Sequence, residues 1–318
     1  MPQANLLDIA KLNGSDTIVG LIEETLTYAP EVQIMPARTI RGTSYKIASR
    51  VSYPGVGFRA ANEGSTPSKS EFENQLIECY ILSGAVQADV AVARAYEDGE
   101  QAWKDIESVG VMRQAMIELG SQVIYGTSHQ AKGFPGLQAI HAAFNSGLGA
   151  SALTVDAGGT AAGTGSSVYG INTDTQGVQL VFGAGTTFEL GEWRIENVGT
   201  SSVYPAHVAN LTAWVGMQVG SKYSVGRLKD ATADSGMGVT DAKLAELLSK
   251  YPVGYRPNYW LMNRRSAYQL QVSRSASTVQ NGVKTSSGSE IFAPLPTESN
   301  GIPIVITDSI RNDEALTA

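Results

Sequence analysis

Cysteine is almost missing from these 318 residues: Cys79 stands alone, so no intrachain disulfide can form. Its neighbours read as a strand, where a lone thiol packs as a small apolar residue. Histidine is scarce too. His129, His141 and His207 are scattered, with no i, i+4 pair and no second cysteine to complete a zinc pattern. Charged residues make up only 17% and the formal net charge is −7, which excludes the basic excess of a dedicated nucleic-acid binder. The most apolar long run, residues 81–95, is interrupted by Gln87, Asp89 and Arg94, so no segment approaches a membrane span. The first residues lack the basic-then-apolar pattern of a signal peptide.

Catalytic signatures are equally sparse. There is no Gly-Lys dipeptide for a phosphate-binding loop and no G-x-S-x-G elbow. Gly163-Thr164-Gly165 sits in the small-residue stretch 157–167, which reads as a flexible loop. Asp230 with Asp234, and Asp308 with Asp313, lack calcium-loop alternation and read as solvated turns. Arg264-Arg265 reads as a surface pair opening a helix. The four tryptophans, Trp103, Trp193, Trp214 and Trp260, fall in helix or strand patterns and predict core packing. The expectation is a non-enzyme with no catalytic residue, no metal and no cofactor.

What is present begins at residues 37–80. They read as one long β-hairpin with no core of its own. From Ala37 to Ala61 the bases are Arg38, Arg41, Lys46, Arg50 and Arg59, with no acid; from Asn62 to Tyr80 come Glu63, Glu71, Glu73 and Glu78, with Lys69 the single base. An extended arm that is polar on both faces cannot bury enough apolar surface to hold itself up. It is expected to lie against another copy of the chain, with those nine residues as intersubunit contacts.

Around the arm the pattern gives a helical stretch at 4–28, strands at 38–51 and 72–82, and alternation of Val86, Ala88, Val90 and Val92. A helix is predicted over 98–125, about 40 Å long. Gly110 and Gly120 inside it predict close approach of another backbone, and Gly126 its end. Strands follow at 168–172, 178–182, 188–198 and 203–219. A helix at 240–251 carries Leu244, Leu247 and Leu248 on one face. Then come a buried strand at 259–262, a helix at 264–272, a polar loop at 273–289 and a last strand at 302–307.

The order of these pieces resembles the major capsid proteins of tailed bacteriophages, the Hong Kong 97 fold. The likeness rests on the arm and extended loop, and on the long helix ending Val123-Ile124-Tyr125-Gly126 before Gly133-Phe134-Pro135-Gly136-Leu137. It rests also on Arg256-Pro257-Asn258-Tyr259-Trp260-Leu261-Met262-Asn263 with its following helix, and on Gly301-Ile302-Pro303-Ile304-Val305-Ile306-Thr307-Asp308. The resemblance implies an α+β fold in five segments: an N-terminal arm (1–36), an extended loop (37–82), a peripheral domain with a spine helix (83–139), a β-elaborated axial domain (140–255) and the rest of the peripheral domain (256–318). It implies pentamers and hexamers closing into an icosahedral head around double-stranded DNA that is contacted only weakly. A separate scaffolding protein and a portal would be partners, with the presence of a decoration protein left open; assembly would occur in the host cytoplasm, and the protein would reside in the virion. Lys46 and Lys69 lie in the loop without an identifiable crosslinking partner, so no crosslinks are expected. The same fold in a cargo compartment or gene-transfer particle is the alternative, and a β-rich adhesin or fibre subunit a more distant one.

Overall fold

The computed structural model describes residues 6–13, 27, 29–146, 148–149, 152–185, 188–199, 203–280 and 293–316. Helix α1 (Leu6–Leu12) and the single turn α2 (Glu31–Ile34) come first; of the helical stretch expected over 4–28, residues 14–26 lie outside the described ones. Strands β1 (Ala37–Thr39), β2 (Ser44–Ser52), β3 (Glu71–Glu78) and β4 (Tyr80–Asp89) follow, then α3 (Val90–Ala93), α4 (Glu100–Tyr125) and α5 (Leu137–Asn145). The second half holds β5 (Thr154–Asp156), β6 (Ser166–Ile171), β7 (Val178–Phe182), β8 (Arg194–Val198), β9 (Tyr204–Val219) and β10 (Val225–Ala231). It closes with α6 (Asp241–Ser249), β11 (Tyr259–Met262), α7 (Arg264–Gln280), β12 (Glu298–Ser299) and β13 (Ile302–Ile306).

Two sheets form the body, and each draws strands from distant parts of the chain. The first runs β1-β7-β9-β4. The long β9 pairs with β4 through ten residue pairs on one edge and divides its other edge between β7 and β8. The second sheet runs β12-β13-β11-β6-β10-β5. Its side chains alternate between two cores, as strand pleating requires. Tyr169, Ile171 and Leu261 face a core shared with α4 and the first sheet. Val168, Trp260 and Met262 face a core made with α6 and α7 through Leu244, Leu247, Ala267 and Leu270.

Helix α4 is 26 residues long, about 39 Å. Its buried stripe is Trp103, Leu119, Val123 and Ile124. It stops at Gly126, whose φ is 56° and where a Cβ would lie 1.9 Å from the Gly136 nitrogen. Only glycine meets both demands. Gly120 differs from expectation: side chains, not backbone, fill the space where its Cβ would be. Gly110 has no described residue within 4 Å of where its Cβ would be, so no described backbone approaches there. Helix α6 begins where Thr240 Oγ1 accepts the Lys243 N–H at 3.3 Å. Thr240→Ala is expected to cost about 1 kcal/mol, read as a lower urea midpoint of the soluble subunit.

Several boundaries differ from the sequence pattern, some of them through long-range hydrogen bonds. The strand expected over 38–51 is broken. β1 joins β7 in parallel, and Ile40 and Gly42 are tied to Phe182 and Ala184 before β2 starts. The return strand changes partners at Cys79, whose N–H donates to Thr43; β3 belongs to the arm and β4 to the body. The alternation through Val92 ends at Asp89, which accepts the Ala91 N–H at 2.8 Å and starts α3. The loop before β6 is anchored: Asp234 accepts the backbone N–H groups of Thr160 and Ala161. Asp230 is buried beside Lys229 rather than solvated. Helix α7 continues to Gln280 through the start of the predicted polar loop, whose residues 281–289 lie outside the described ones. β10, rich in Arg227, Lys229 and Asp230, has no counterpart in the sequence reading.

The last residues strap the second sheet to the end of α4. Glu314 accepts from Tyr125 Oη at 2.7 Å, from Ser167 Oγ at 2.5 Å and from Arg227 Nη2 at 3.2 Å. Arg227 also donates to Ser167 at 3.0 Å, and the Arg311 N–H donates to Tyr125 Oη at 2.7 Å. Asn263 adds bonds to Ser166 and Asn312 at 2.6 and 2.8 Å. Burial, with Glu314 adding to it, drives the Tyr125 pKa far up, so its hydroxyl stays a donor at any working pH.

Candidate intersubunit surface

The β2–β3 hairpin is a two-stranded sheet on its own. Its register runs from Ser44↔Glu78 to Arg50↔Phe72, then shifts before Ser52↔Glu71. Nine residues of β2 reach about 30 Å at 3.3 Å per residue. Only the root is held. Ile77, Cys79 and Val181 are buried together, with Ile40, Tyr45, Ile47 and Trp214 against them, and Tyr45 Oη donates to Gln218 Oε1. Beyond the root the arm buries nothing: residues 53–69 are exposed throughout. An isolated hairpin is marginal in water, and among the described residues nothing covers this one beyond its root.

Charges on the arm are not paired with one another. Serines stand opposite the acids, as Ser44↔Glu78, Ser49↔Glu73 and Ser52↔Glu71. The bases stand opposite apolar residues, as Lys46↔Leu76 and Arg50↔Phe72. Arg50 stacks on Tyr53 and Phe72 at 5.4 Å each, and Arg38, which lies in β1 of the body, stacks on Tyr45 at 5.0 Å. At the tip Arg59 donates to the Glu63 carbonyl at 2.7 Å, while the Glu63 carboxylate accepts the Ala60 N–H at 3.0 Å. Glu78 accepts from Tyr80 Oη at 3.3 Å. Among the described residues, Arg41 (at the root), Lys46, Glu71 and Glu73 make no side-chain hydrogen bond or ion pair. Apart from Arg38, which stays in the body, the predicted contact residues are thus brought onto one arm but, among the described residues, not into ion pairs with one another.

The sequence reading passed over the arm's apolar residues. Val56 and Phe58 are fully exposed and Tyr53 nearly so; Val51, Phe72 and Leu76 are at least half exposed. The signal was there, since large apolar side chains are rare in a turn region, but the density of Gly and Pro around them marked the segment only as a loop.

Elsewhere the surface has little concavity. An open cleft of about 310 Å³ lies at the arm's foot, lined by Ile81, Leu119, Phe134 and Val215 with Glu118 and Gln122. A second, of about 470 Å³, is lined by polar loops around Asn172, Asp174 and Ser221. Among the described residues no three His, Cys, Asp or Glu side chains converge as metal ligands, and no helix is long and apolar enough to cross a membrane. The histidines are spread out. His129 meets Glu118 at 2.7 Å, His141 meets the Leu153 carbonyl at 3.0 Å with its pKa lowered to about 4 by burial, and His207 lies buried 2.9 Å from Glu100.

A family model described as major capsid protein GP7 matches residues 13–318. No curated protein matches the sequence significantly. Among solved structures, one of bacteriophage Epsilon15 aligns over 100% of this chain and 98% of its own, at 16% identity and a TM-score of 0.66. The capsid of a native GTA particle covers 69% of this chain and 95% of its own, at 13% identity and TM-score 0.47. The SrpI encapsulin of Synechococcus elongatus covers 73% and 97%, at 9% identity and TM-score 0.47.

Proposed function

Because this chain belongs to the major capsid protein GP7 family, the structural subunits of phage heads, we propose that the β2–β3 hairpin lies across an adjacent copy and holds the shell together. The observation that carries this reading is an arm anchored only at its root, with Tyr53, Val56 and Phe58 exposed at its tip. Burying each such side chain fully is worth about 1.5–3 kcal/mol, part of which ordering the arm consumes. An exposed ion pair adds only about 0.2–1 kcal/mol. In this reading the apolar tip supplies adhesion, and Arg41, Lys46, Glu71 and Glu73 supply register through partners on the neighbour. Contacts this modest can break and re-form while a shell closes, which allows errors to be corrected.

In the same reading the subunits form pentamers and hexamers of an icosahedral head, assembled in the host cytoplasm with a separate scaffolding protein and a portal. The loops of segment 140–255 meet at the capsomer centre. The long helix α4 and the C-terminal segment face neighbouring capsomers, and the N-terminal arm locks after expansion. The net charge of −7 fits a container that contacts packaged DNA weakly. The test replaces Tyr53, Val56 and Phe58 together by serine. Negative-stain microscopy and sedimentation are expected to find folded subunits and no closed particles. Normal shells from that variant would overturn the role of the tip.

A further inference from the structure

Glu31 has the least ordinary environment of any carboxyl among the described residues. It is completely buried, and neither carboxylate oxygen has a hydrogen-bond partner. α2, which carries it, is docked by Met35 into the main core, with Val32 and Ile34 against that core. The carboxyl enters a notch in α4 made by Gly120: a Cβ there would lie 2.2 Å from Glu31 Oε1, 2.6 Å from Ser309 Oγ and 2.8 Å from Ala29 Cβ. Ser309 Oγ is also buried without a partner. The charged group facing it from the 307–309 turn is Asp308, itself bound to Arg264 of α7 at 2.7 Å. On α4 the neighbouring carboxylate, Glu118, is turned to His129. No cation compensates a charge on Glu31 from these elements.

We propose that Glu31 is a proton-operated latch, holding the N-terminal segment on α4 and the 307–309 turn while it is neutral and releasing it when ionised. A lone carboxylate loses its hydration in this notch and finds no counter-ion on the elements described around it, so the charged form is strongly disfavoured there. The neutral acid needs no counter-ion and carries one O–H, with the Ser309 hydroxyl beside it. Burial raises the docked pKa above the ordinary 4.5, against smaller opposing pulls from the hydroxyls of Ser309 and Thr307. Below the ordinary value both states are protonated and docking is firmest. Between the ordinary and the raised value only the undocked carboxyl ionises, so docking weakens by up to about tenfold per pH unit. Above the raised value it levels off.

The experiment is hydrogen exchange of the peptide spanning residues 31–35 in the full-length chain, from pH 4.5 to 8, with rates divided by their intrinsic values. Wild-type protection is expected to fall with rising pH and then plateau. Glu31→Gln keeps the shape without the titration, so its protection is expected to stay at the acidic wild-type level throughout. Gly120→Ala fills the notch and is expected to leave the peptide unprotected at every pH. A flat wild-type profile overturns the latch whether or not the variants fold. So does a Glu31→Gln profile that follows the wild type, or protection in Gly120→Ala equal to wild type.

Discussion

Arg41→Glu combined with Arg50→Glu is expected to abolish shell assembly while leaving the subunit folded. The fold is insensitive because Arg41 is exposed and makes no ion pair with any other described residue. Arg50 contributes only its stacking on Tyr53 and Phe72, about 0.5–1 kcal/mol at an exposed site. The melting temperature should therefore move by only about 1–3 °C. If the arm lies across a neighbouring copy as proposed, each reversal turns an attraction at that contact into a repulsion. In that arrangement each copy contributes one arm contact, so the change acts once per copy at every contact of the shell. A loss of roughly 1.4 kcal/mol per contact already raises the concentration needed for association tenfold. The decisive readings are particle counts by microscopy and the sedimentation profile, and normal shells would remove the arm's bases from the mechanism. Adding Glu71→Arg and Glu73→Arg tests the partner directly. If the bases of one arm meet the acids of another, the fourfold variant regains particles, and high salt weakens both versions alike.

Glu314→Ala should be the most destabilising single change outside the hydrophobic core. It leaves the Arg227 guanidinium buried without its carboxylate and removes the acceptor for Tyr125 and Ser167. Breaking one partner of a buried pair costs about 3–5 kcal/mol, which lowers the melting temperature by about 5–8 °C for a chain of this size. The soluble subunit's urea midpoint is the measurement. Arg227→Met with Glu314→Leu removes both charges and should recover much of the loss, because the penalty lies in the orphaned ion and not in the missing attraction. A Glu314→Ala midpoint within about 0.5 kcal/mol of wild type, the range of an ordinary surface change, would show that the strap contributes nothing.

These two sites differ in how far the sequence revealed them. The arm's segregated charge was visible residue by residue, and so was its want of a core. The α4 stripe of Trp103, Leu119 and Val123, the leucines of α6 and the apolar run of β11 were equally plain, since amphipathic periodicity is a local property. Together they gave the fold class. The pairing of the arm was not visible: the register sets serines against acids and apolar residues against bases, and a register depends on two strands at once. Nor was the apolar tip recognised, because turn residues dominated its local pattern.

The sequence by itself determined the long helices, most of the long strands, and that one arm lacks a core. Those properties follow from spacing between near neighbours along the chain. The tertiary structure alone decided which charges could be buried. Arg227 became part of a core strand because Glu314, 87 residues away, neutralises it. Glu31 came to rest in a notch that exists only because residue 120 of a different helix is glycine. The cost of removing a charge from water is set by what surrounds it in space, and local pattern carries no record of those partners.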